Sequence, residues 1–549
     1  MQFNSSSGGS NVTTIENNIQ SCLSLSREII EHTLGPMGMD ISIFESNNNH
    51  KVMDSSSQYL PYMENQSLQE RDSMSISEEG NNEMMKSNNF IITNDGSTII
   101  KYLNIEHPSC QLLSRASLLQ DRLIGDGTSS VVILTCELLN QALNLIKNRN
   151  LHPSLIVRGF QLAVLKSKLY LNSYAVNSNE KDIESLIRTC MQSKIISQYE
   201  EYFVNLIRNV HNHKLNLRVI YPNKNFKLFY FNEIGNDMST TCQYSGYKFT
   251  NLKHFNVNQF NMKNVKILMC KAEELNGNFV SKIFRVSQSN LENEYKKLTE
   301  LCDYLINELN INVIFNVGIG IHKIVQEYLK HKNVLCVGFV DFKSAEVLSI
   351  IGNSIISSGY NNCGYLDEIN LTSVDNGNYH LEILSNSQNH AKYIWNTIKI
   401  SSPNSEISNE IQRSIQDCMG ILNHTEQVCP GGGATFMDIS KYIRTLNYPN
   451  QLQFILEAFS NALEVIPKVL STNMGYDASI VLSKLRSIKN EQYFGVSMDE
   501  QVSNQLKSGV IEPCHLIVSI MDRALEFSEM ILRIDENIYI KPFHSNVKM

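Results

Sequence analysis

The run Gly125-Asp126-Gly127-Thr128-Ser129-Ser130 sets two glycines, a carboxylate and three hydroxyls directly ahead of a strong helical pattern. A helix N-terminus presents free backbone N–H groups and the positive end of its dipole, and glycine lets the backbone approach an anion closely. The hydroxyls of Thr128, Ser129 and Ser130 add donors suited to phosphate. Asp126 would repel a bare phosphate. It fits the role of a Mg²⁺ ligand, because Mg²⁺ commonly takes one or two carboxylates together with phosphate oxygens. Taken alone, the segment reads more simply as a structural helix capped by Asp126 or Thr128.

Four other places could carry chemistry. Leu34-Gly35-Pro36 is a glycine-bearing turn at a helix end and, by itself, a plain helix stop. Asn94-Asp95-Gly96 puts a carboxylate on a tight turn after a strand, where an ordinary turn is the default. Gly431-Gly432-Gly433 permits close approach of a flat ligand, or serves as a flexible joint. Asp417 lies between Ile415 and Met419 on an amphipathic helix, near its apolar stripe but off it. Most such residues belong to a solvated acidic face. The chemical alternative is a carboxylate that orients or deprotonates a water for attack on a γ-phosphate. Gly318-Ile319-Gly320 lacks the third glycine of a dinucleotide fingerprint and reads as a strand-to-helix turn. His152 and His322 have no metal-ligand spacing and read as structural.

The elements that must position these residues follow from periodicity. Thr13-Thr14-Ile15-Glu16 reads as a capping box with Thr13 at the N-cap, and apolar residues from Ile15 to Ile30 then keep helical spacing. Ile41 to Glu45 and Phe90 to Thr93 read as paired strands. The aperiodic polar tract Ser46 to Asn89 reads as a disordered insertion at the hairpin tip. Val131, Leu134, Leu138, Ala142, Leu145 and Ile146 mark one helix face; Leu151-His152-Pro153 interrupts, and a second helix starts near Leu155. Short strands at Val265–Leu268, Val313–Phe315 and Val334–Val337 alternate with helices near Leu291–Leu309 and Ile321–Leu329. That alternation predicts an α/β domain with a partly parallel sheet. Asn-rich loops are expected from Asn361 to Asn378 and from Ser401 to Asn409. Ile411, Ile415, Met419 and Leu422 mark another helix face, and further helices are expected near Leu452–Leu470, Ala478–Lys489 and Pro513–Ile534. A helical start and a helical end bracketing an α/β middle predict one helical domain built from both ends of the chain.

The bulk numbers bound the setting. The 549 residues suggest roughly three or four domains. The net charge of −8 disfavours a nucleic-acid partner. Met1 to Asn11 lacks the pattern of a signal peptide, and no uninterrupted apolar stretch is long enough for a bilayer, so no membrane partner is expected. The 12 cysteines include no Cys-x-x-Cys pair and read as buried thiols. A soluble cytoplasmic protein is the simplest expectation.

Taken in order, several segments resemble the group II chaperonins. They are Thr33-Leu34-Gly35-Pro36 with Gly38-Met39-Asp40, Ile92-Thr93-Asn94-Asp95-Gly96, Gly125-Asp126-Gly127-Thr128, Pro430-Gly431-Gly432-Gly433-Ala434, Asn473 with Gly475 and Asp477, and Ile531-Leu532-Arg533-Ile534-Asp535. The likeness covers the first and last thirds; the middle third matches only in its α/β pattern. Within the family the chain is most similar to the eukaryotic cytosolic complex, TRiC or CCT. Leu119-Gln120-Asp121 and Ile531 to Ile538 resemble its alpha subunit, while Leu151-His152-Pro153 is also compatible with eta.

The resemblance implies an α+β multidomain chaperonin fold. Residues 1–151 and 429–549 would form a mostly helical equatorial domain, with 46–89 as an insertion. Residues 152–216 and 386–428 would form an intermediate hinge domain, and 217–385 an inserted α/β apical domain that binds substrate. The resemblance further implies a subunit of a hetero-oligomeric double ring that uses ATP and Mg²⁺ to close a lid and fold unfolded cytosolic clients such as cytoskeletal proteins. On this likeness Leu34, Gly35 and Pro36 line the phosphate side, Asp126 holds Mg²⁺, and Gly96, Gly127, Thr128, Ser129 and Ser130 bind phosphates. Asp95 and Asp417 position and activate the attacking water, Gly432 and Glu512 contact ribose and base, and Lys194 senses the nucleotide. The helical segment at Leu291–Leu309 would contribute to a built-in lid.

The chain departs from the family pattern in several places. Ser129 replaces a threonine, Ile41 a lysine, Phe436 a glutamate and Ser497 an aspartate. Two alternatives follow: a ring subunit that binds ATP with little or no hydrolysis, and a metabolic α/β nucleotide enzyme that works alone.

Overall fold

The computed structural model describes residues 11–44, 90–103, 105, 107–220, 225–272, 275, 288–360, 362–374, 378–385, 394–488 and 491–537. The insertion expected at Ser46 to Asn89 lies outside the described residues. The chain opens with α1 (Asn11–Leu25), which passes through a π turn and a 3-10 turn that ends at Thr33. This helix starts two residues before the expected N-cap at Thr13. Glu16, expected to close a capping box, instead pairs with Lys147. β1 (Ile41–Phe44) pairs antiparallel with β2 (Phe90–Thr93). Next come α2 (Gly96–Tyr102), α3 (Pro108–Leu123), α4 (Thr128–Arg149) and α5 (Pro153–Tyr174). The turn expected at Asn94-Asp95-Gly96 is the start of α2, because the Asp95 carboxylate accepts from the amides of Ser97 and Thr98 and so caps a helix.

The chain then leaves this helical unit through β3 (Val176–Asn177), α6 (Glu180–Met191), α7 (Glu200–Ile220), β4 (Phe226–Ile234) and β5 (Cys242–Tyr244). An α/β unit follows: β6 (Gly246–Phe249), β7 (His254–Phe255), β8 (Phe260–Cys270), α8 (Gln288–Asp303), β9 (Val313–Val317), α9 (Lys323–His331), β10 (Leu335–Val340), α10 (Phe342–Ile351), β11 (Cys363–Val374) and β12 (Asn378–Leu384). Its seven strands lie in the order β6-β12-β11-β8-β9-β10-β7, with β8, β9 and β10 mutually parallel. Every residue of β9 is buried, as a parallel strand covered on both faces requires. Ala345, Leu348 and Ile351 of α10 cover one face; Cys302, Val325 and Leu329 belong to the cluster on the other. β11 runs through the tract expected to be a loop. Leu366, Ile369 and Leu371 are buried there, and pairing with both β8 and β12 outweighs the polar composition.

The return path is β13 (Ile394–Ser402), α11 (Ser405–Ile421) and β14 (Gln427–Pro430). α11 thus begins inside the second expected loop, capped by Asn404. The helical unit is completed by α12 (Ala434–Thr445), α13 (Gln451–Leu463), α14 (Val465–Asn473), α15 (Ala478–Ser487), β15 (Phe494–Ser497), β16 (Gln501–Asn504), α16 (Gln505–Ser508), β17 (Ile511–Pro513) and α17 (Cys514–Leu532). The single helix expected over Leu452–Leu470 is broken into α13 and α14 at Glu464. Pro467 has no N–H to give to the Leu463 carbonyl, and the buried Glu464 is matched there by Arg444 and Arg486.

Among the described residues, three large apolar regions result. The largest joins residues from Ile15 to Tyr174 with residues from Cys429 to Leu532. A second joins α6 and α7 to β13 and α11 through Ile187, Phe203, Ile398, Ile411 and Ile415. The third holds the seven-stranded sheet. Between the first two, the sheet β17-β14-β3 joins strands from separate stretches of the chain. α4 is by length and composition the one described helix apolar enough to cross a membrane, although Glu137, Asn140, Gln141 and Asn144 interrupt its apolar residues. In the fold it is a central core helix, packed by α3, α13 and α17. All 12 cysteines are free thiols, and all but Cys242 and Cys363 are buried. His152 and His322 each cap a helix through Nδ1, which accepts the amides of Ser154 and Ile324.

Candidate active site

The start of α4 is set by Gly127. Its φ of +77° is a left-handed conformation that few side chains tolerate, and a Cβ there would lie 2.9 Å from Leu516. The first intrahelical bond runs from the Val131 amide to the Gly127 carbonyl. The amides of Thr128, Ser129 and Ser130 therefore have no acceptor within the helix. Gln120, fully buried in α3, holds the preceding loop: its Nε2 donates to the Asp126 carbonyl at 2.9 Å, and its Oε1 accepts from Ser519 of α17 at 2.8 Å. The Asp126 carboxylate accepts the Gly127 amide at 2.7 Å and stays half-buried at the mouth of the loop.

This helix start opens onto a cavity of about 360 Å³. Leu34, Gly35 and Pro36 border it from the end of the first helix, and Asp95 and Gly96 from the start of α2. Gly432 comes from the loop before α12, Glu512 from β17, Lys194 from the turn after α6 and Asp417 from α11. Every residue singled out in the sequence as a site residue thus lines one cavity. The floor is tied together by hydroxyls: Thr33 Oγ1 lies 3.2 Å from Ser129 Oγ, and Thr128 Oγ1 donates to Asp95 Oδ1 at 3.3 Å.

Asp417 turns inward rather than onto a solvated acidic face. Its side chain is 15% exposed and ion-pairs with Lys194, which is 11% exposed. α11 can lie this close because two glycines remove side chains from the seam. A Cβ on Gly125 would sit 3.2 Å from Asp417 Cα, and one on Gly420 would sit 2.2 Å from the Ile124 carbonyl oxygen.

The carboxyls differ in their proton affinity. Burial pushes Asp417 up to about 8, with Lys194 pulling the other way and Asp95 adding to the rise. Burial works against the Lys194 charge, but Asp417, Cys190, Asp126 and Cys418 together outweigh it and hold the ammonium well above its ordinary value. Glu512 is also pushed up to about 8, by burial and then by Asp126. At neutral pH it keeps its proton and can donate as well as accept a hydrogen bond. For Asp95, burial is outweighed by the bonds from Thr98 and Ser97 and by Lys194, so it lies below the usual carboxylate value.

The donor set fits a magnesium-bound nucleoside polyphosphate. Among the described residues no three His, Cys, Asp or Glu side chains enclose a metal by themselves. The cavity offers single carboxylates beside unpaired helix-start amides, the arrangement that suits Mg²⁺ shared with phosphate oxygens. Sequence reading passed over several lining residues. Gln505 holds the β15–β16 hairpin through Val496 O at 3.1 Å, and Asp499 brings a carboxylate to the wall two residues beyond Ser497. Phe436, noted in the sequence only as a departure from the family glutamate, is buried against the same wall. None of these carries a local signal beyond its residue type.

Comparison with known proteins shows the family of the chain. The model of the TCP-1/cpn60 chaperonin family matches residues 79–542. The T-complex protein 1 subunit eta of Saccharomyces cerevisiae is 27% identical, covering 95% of this chain and 91% of its own length. The T-complex protein 1 subunit alpha of Tetrahymena pyriformis is 29% identical over 82% of this chain and 88% of its own. Thermosome subunit alpha of Archaeoglobus fulgidus is 29% identical over 82% and 86%. These values are too close to single out one kind of subunit. With the family match spanning most of its length and the α+β fold around one cavity, the chain belongs to the TCP-1/cpn60 chaperonin family.

Proposed function

We propose that this chain is an ATP-hydrolysing subunit of a cytoplasmic, hetero-oligomeric double-ring chaperonin, most like the alpha subunit of the eukaryotic complex, and that hydrolysis drives the folding of unfolded clients. The observation that carries the reading is the convergence of Asp95, Asp126, Lys194 and Asp417 on the α4 helix start, from four separate stretches of chain. The three apolar regions support a division into equatorial, intermediate and apical domains, with α5 (Pro153–Tyr174) packed in the first of them rather than in the intermediate domain expected from residue 152. On that division Asp417 and Lys194 belong to the hinge, and the phosphate loops to the equatorial domain.

In this reading the amides and hydroxyls of Thr128, Ser129 and Ser130 bind phosphate oxygens, with Gly35 and Gly96 lining the same cavity beside them. Asp126 would hold Mg²⁺, which when bound neutralises phosphate charge. Asp417 accepts a proton from the attacking water, since a base works best when its proton affinity is matched to the working pH. Lys194 offsets part of the burial that disfavours the Asp417 carboxylate, and aims it. Asp95, already ionised, orients the water as an acceptor. Gly432 and Glu512 contact ribose and base, with the Glu512 proton available for donation. The departures at Ile41, Phe436 and Ser497 bear on neighbour contacts and nucleotide affinity rather than on these steps.

Single-turnover hydrolysis by the assembled protein with Asp417→Ala tests the proposal. The expected result is a loss of about 100-fold or more with ATP still bound. Unchanged hydrolysis would assign the chain to a ring subunit that only binds nucleotide. Sizing that showed no large ring would favour an enzyme working alone.

A further inference from the structure

α11 carries Glu410, Arg413 and Asp417 at spacings of three and four, so the three project from one face. Only Asp417 was singled out from the sequence. The other two form an ion pair, with Arg413 Nη2 2.8 Å from Glu410 Oε2. Each then reaches across the seam to a buried threonine that flanks Asp95. Arg413 Nη1 donates to Thr98 Oγ1 at 2.5 Å, and Thr93 Oγ1 donates to Glu410 Oε2 at 3.3 Å.

The direction of these bonds is fixed by chemistry. A guanidinium can only donate, so the Thr98 hydroxyl accepts from Arg413 and its single proton goes to Asp95 Oδ2, 2.7 Å away. On the other side the Asp95 amide donates to Thr93 Oγ1 at 3.1 Å, which leaves the Thr93 proton for Glu410. One hydroxyl thus connects Arg413 to the Asp95 side chain, and the other connects Glu410 to the Asp95 backbone. A further bond, from Asn94 Nδ2 to the Ser193 carbonyl, ties the residue before Asp95 to the residue before Lys194.

We propose that the Glu410–Arg413 pair is a docking clamp that seats α11 against the Asp95 cap through Thr93 and Thr98, and so positions Asp95 and Asp417 on opposite sides of one reaction site. Both members are positioning residues: neither is needed to bind nucleotide, and both are needed to align it for attack. The inference rests on the hydrolytic reading of the cavity. It adds that hinge docking is sensed at Asp95 through two hydroxyls, so that the proton acceptor and the orienting carboxylate are brought into register together.

The test uses the full-length protein in its purified assembly, with Arg413→Gln, Thr98→Val, Thr98→Ser, the double variant Arg413→Gln/Thr98→Val, and Asp417→Asn as a control. Single-turnover hydrolysis, equilibrium ATP binding and nucleotide-free amide hydrogen exchange across residues 405–421 are measured. Arg413→Gln and Thr98→Val are each expected to slow hydrolysis about tenfold, the order expected from a misalignment of less than 1 Å, with ATP affinity changed less than about threefold. Both should speed exchange in α11. Thr98→Ser, which keeps the hydroxyl, should restore both readings. The double variant should be no slower than either single one, because the two changes break the same link. If Arg413→Gln fails to fold, the Thr98→Val and Thr98→Ser pair carries the test. Wild-type hydrolysis in Thr98→Val beside a dead Asp417→Asn overturns the clamp and leaves the hydrolytic reading standing. Multiplicative losses in the double variant also overturn it. Equal hydrolysis in wild type and Asp417→Asn overturns the hydrolytic reading, and the clamp with it.

Discussion

Two walls face each other across the cavity, and they hold their carboxylates in opposite ways. On the wall built from the chain ends, Asp95 caps α2 and receives the amides and hydroxyls of Ser97 and Thr98, with Thr128 Oγ1 behind them. On the wall built from the return path, Asp417 has one strong partner, Lys194, and both are largely screened from solvent. Many donors favour the charged form, whereas burial opposes it. The first carboxylate therefore keeps its charge, and the second exchanges a proton near neutral pH. In the proposed reading this difference separates an orienting group from a base, which residue type alone does not, since both are aspartates.

The comparison breaks most visibly on the fixed wall. Asp95→Ala removes the cap and the orienting charge together. It is expected to slow hydrolysis by about 100-fold, as loss of one preorganised electrostatic group commonly does, and to lower stability by about 1 kcal/mol through the lost cap. Thermal unfolding and single-turnover assays read the two effects separately. A full loss of hydrolysis with no change in stability would mean that the capping contacts are incidental.

A subtler effect belongs to the docked wall. Lys194 pulls the Asp417 proton affinity down against burial. A base acts when deprotonated, so hydrolysis should fall as pH drops below the Asp417 value. Lys194→Met removes the pull and should move that acid limb to higher pH, lowering the rate at pH 7 while the alkaline rate is kept. Lys194→Arg retains a cation and should leave the limb nearly in place. A limb that does not move with Lys194→Met would show that another group sets it.

The two walls were also unequally legible in the sequence. Gly125 to Ser130 could be recognised as a possible anion site because a helix start and its glycines are contiguous, and the fold explains Gly127 by its positive φ. Asp417 could be placed on a helix but not on a side of it, because the seam that buries it depends on Gly125 and Gly420, which meet only in three dimensions. Asp95 was read as a turn residue: Asn-Asp-Gly is a strong turn signal, and α2 is too short to show a period. Gln120, Thr98, Glu410 and Arg413 are ordinary polar residues on helices. Their partners lie elsewhere in the chain, and no local pattern marks them. In the α/β unit the parallel strands were legible from their continuous apolar residues. β11 was not, since its buried leucines and isoleucine alternate with asparagine, glutamate and threonine, and only its central place in the sheet makes it a strand.

The division of labour between Asp126 and Asp417 is tested most directly by ATP binding titrated with Mg²⁺, alongside single-turnover hydrolysis, in Asp126→Asn and Asp417→Asn. The account predicts that Asp126→Asn loses the Mg²⁺-dependent part of ATP binding, and that Asp417→Asn binds like wild type but turns over about 100-fold more slowly. Two variants that lose binding equally, or an Asp126→Asn protein whose binding still strengthens with Mg²⁺ as wild type does, would contradict it.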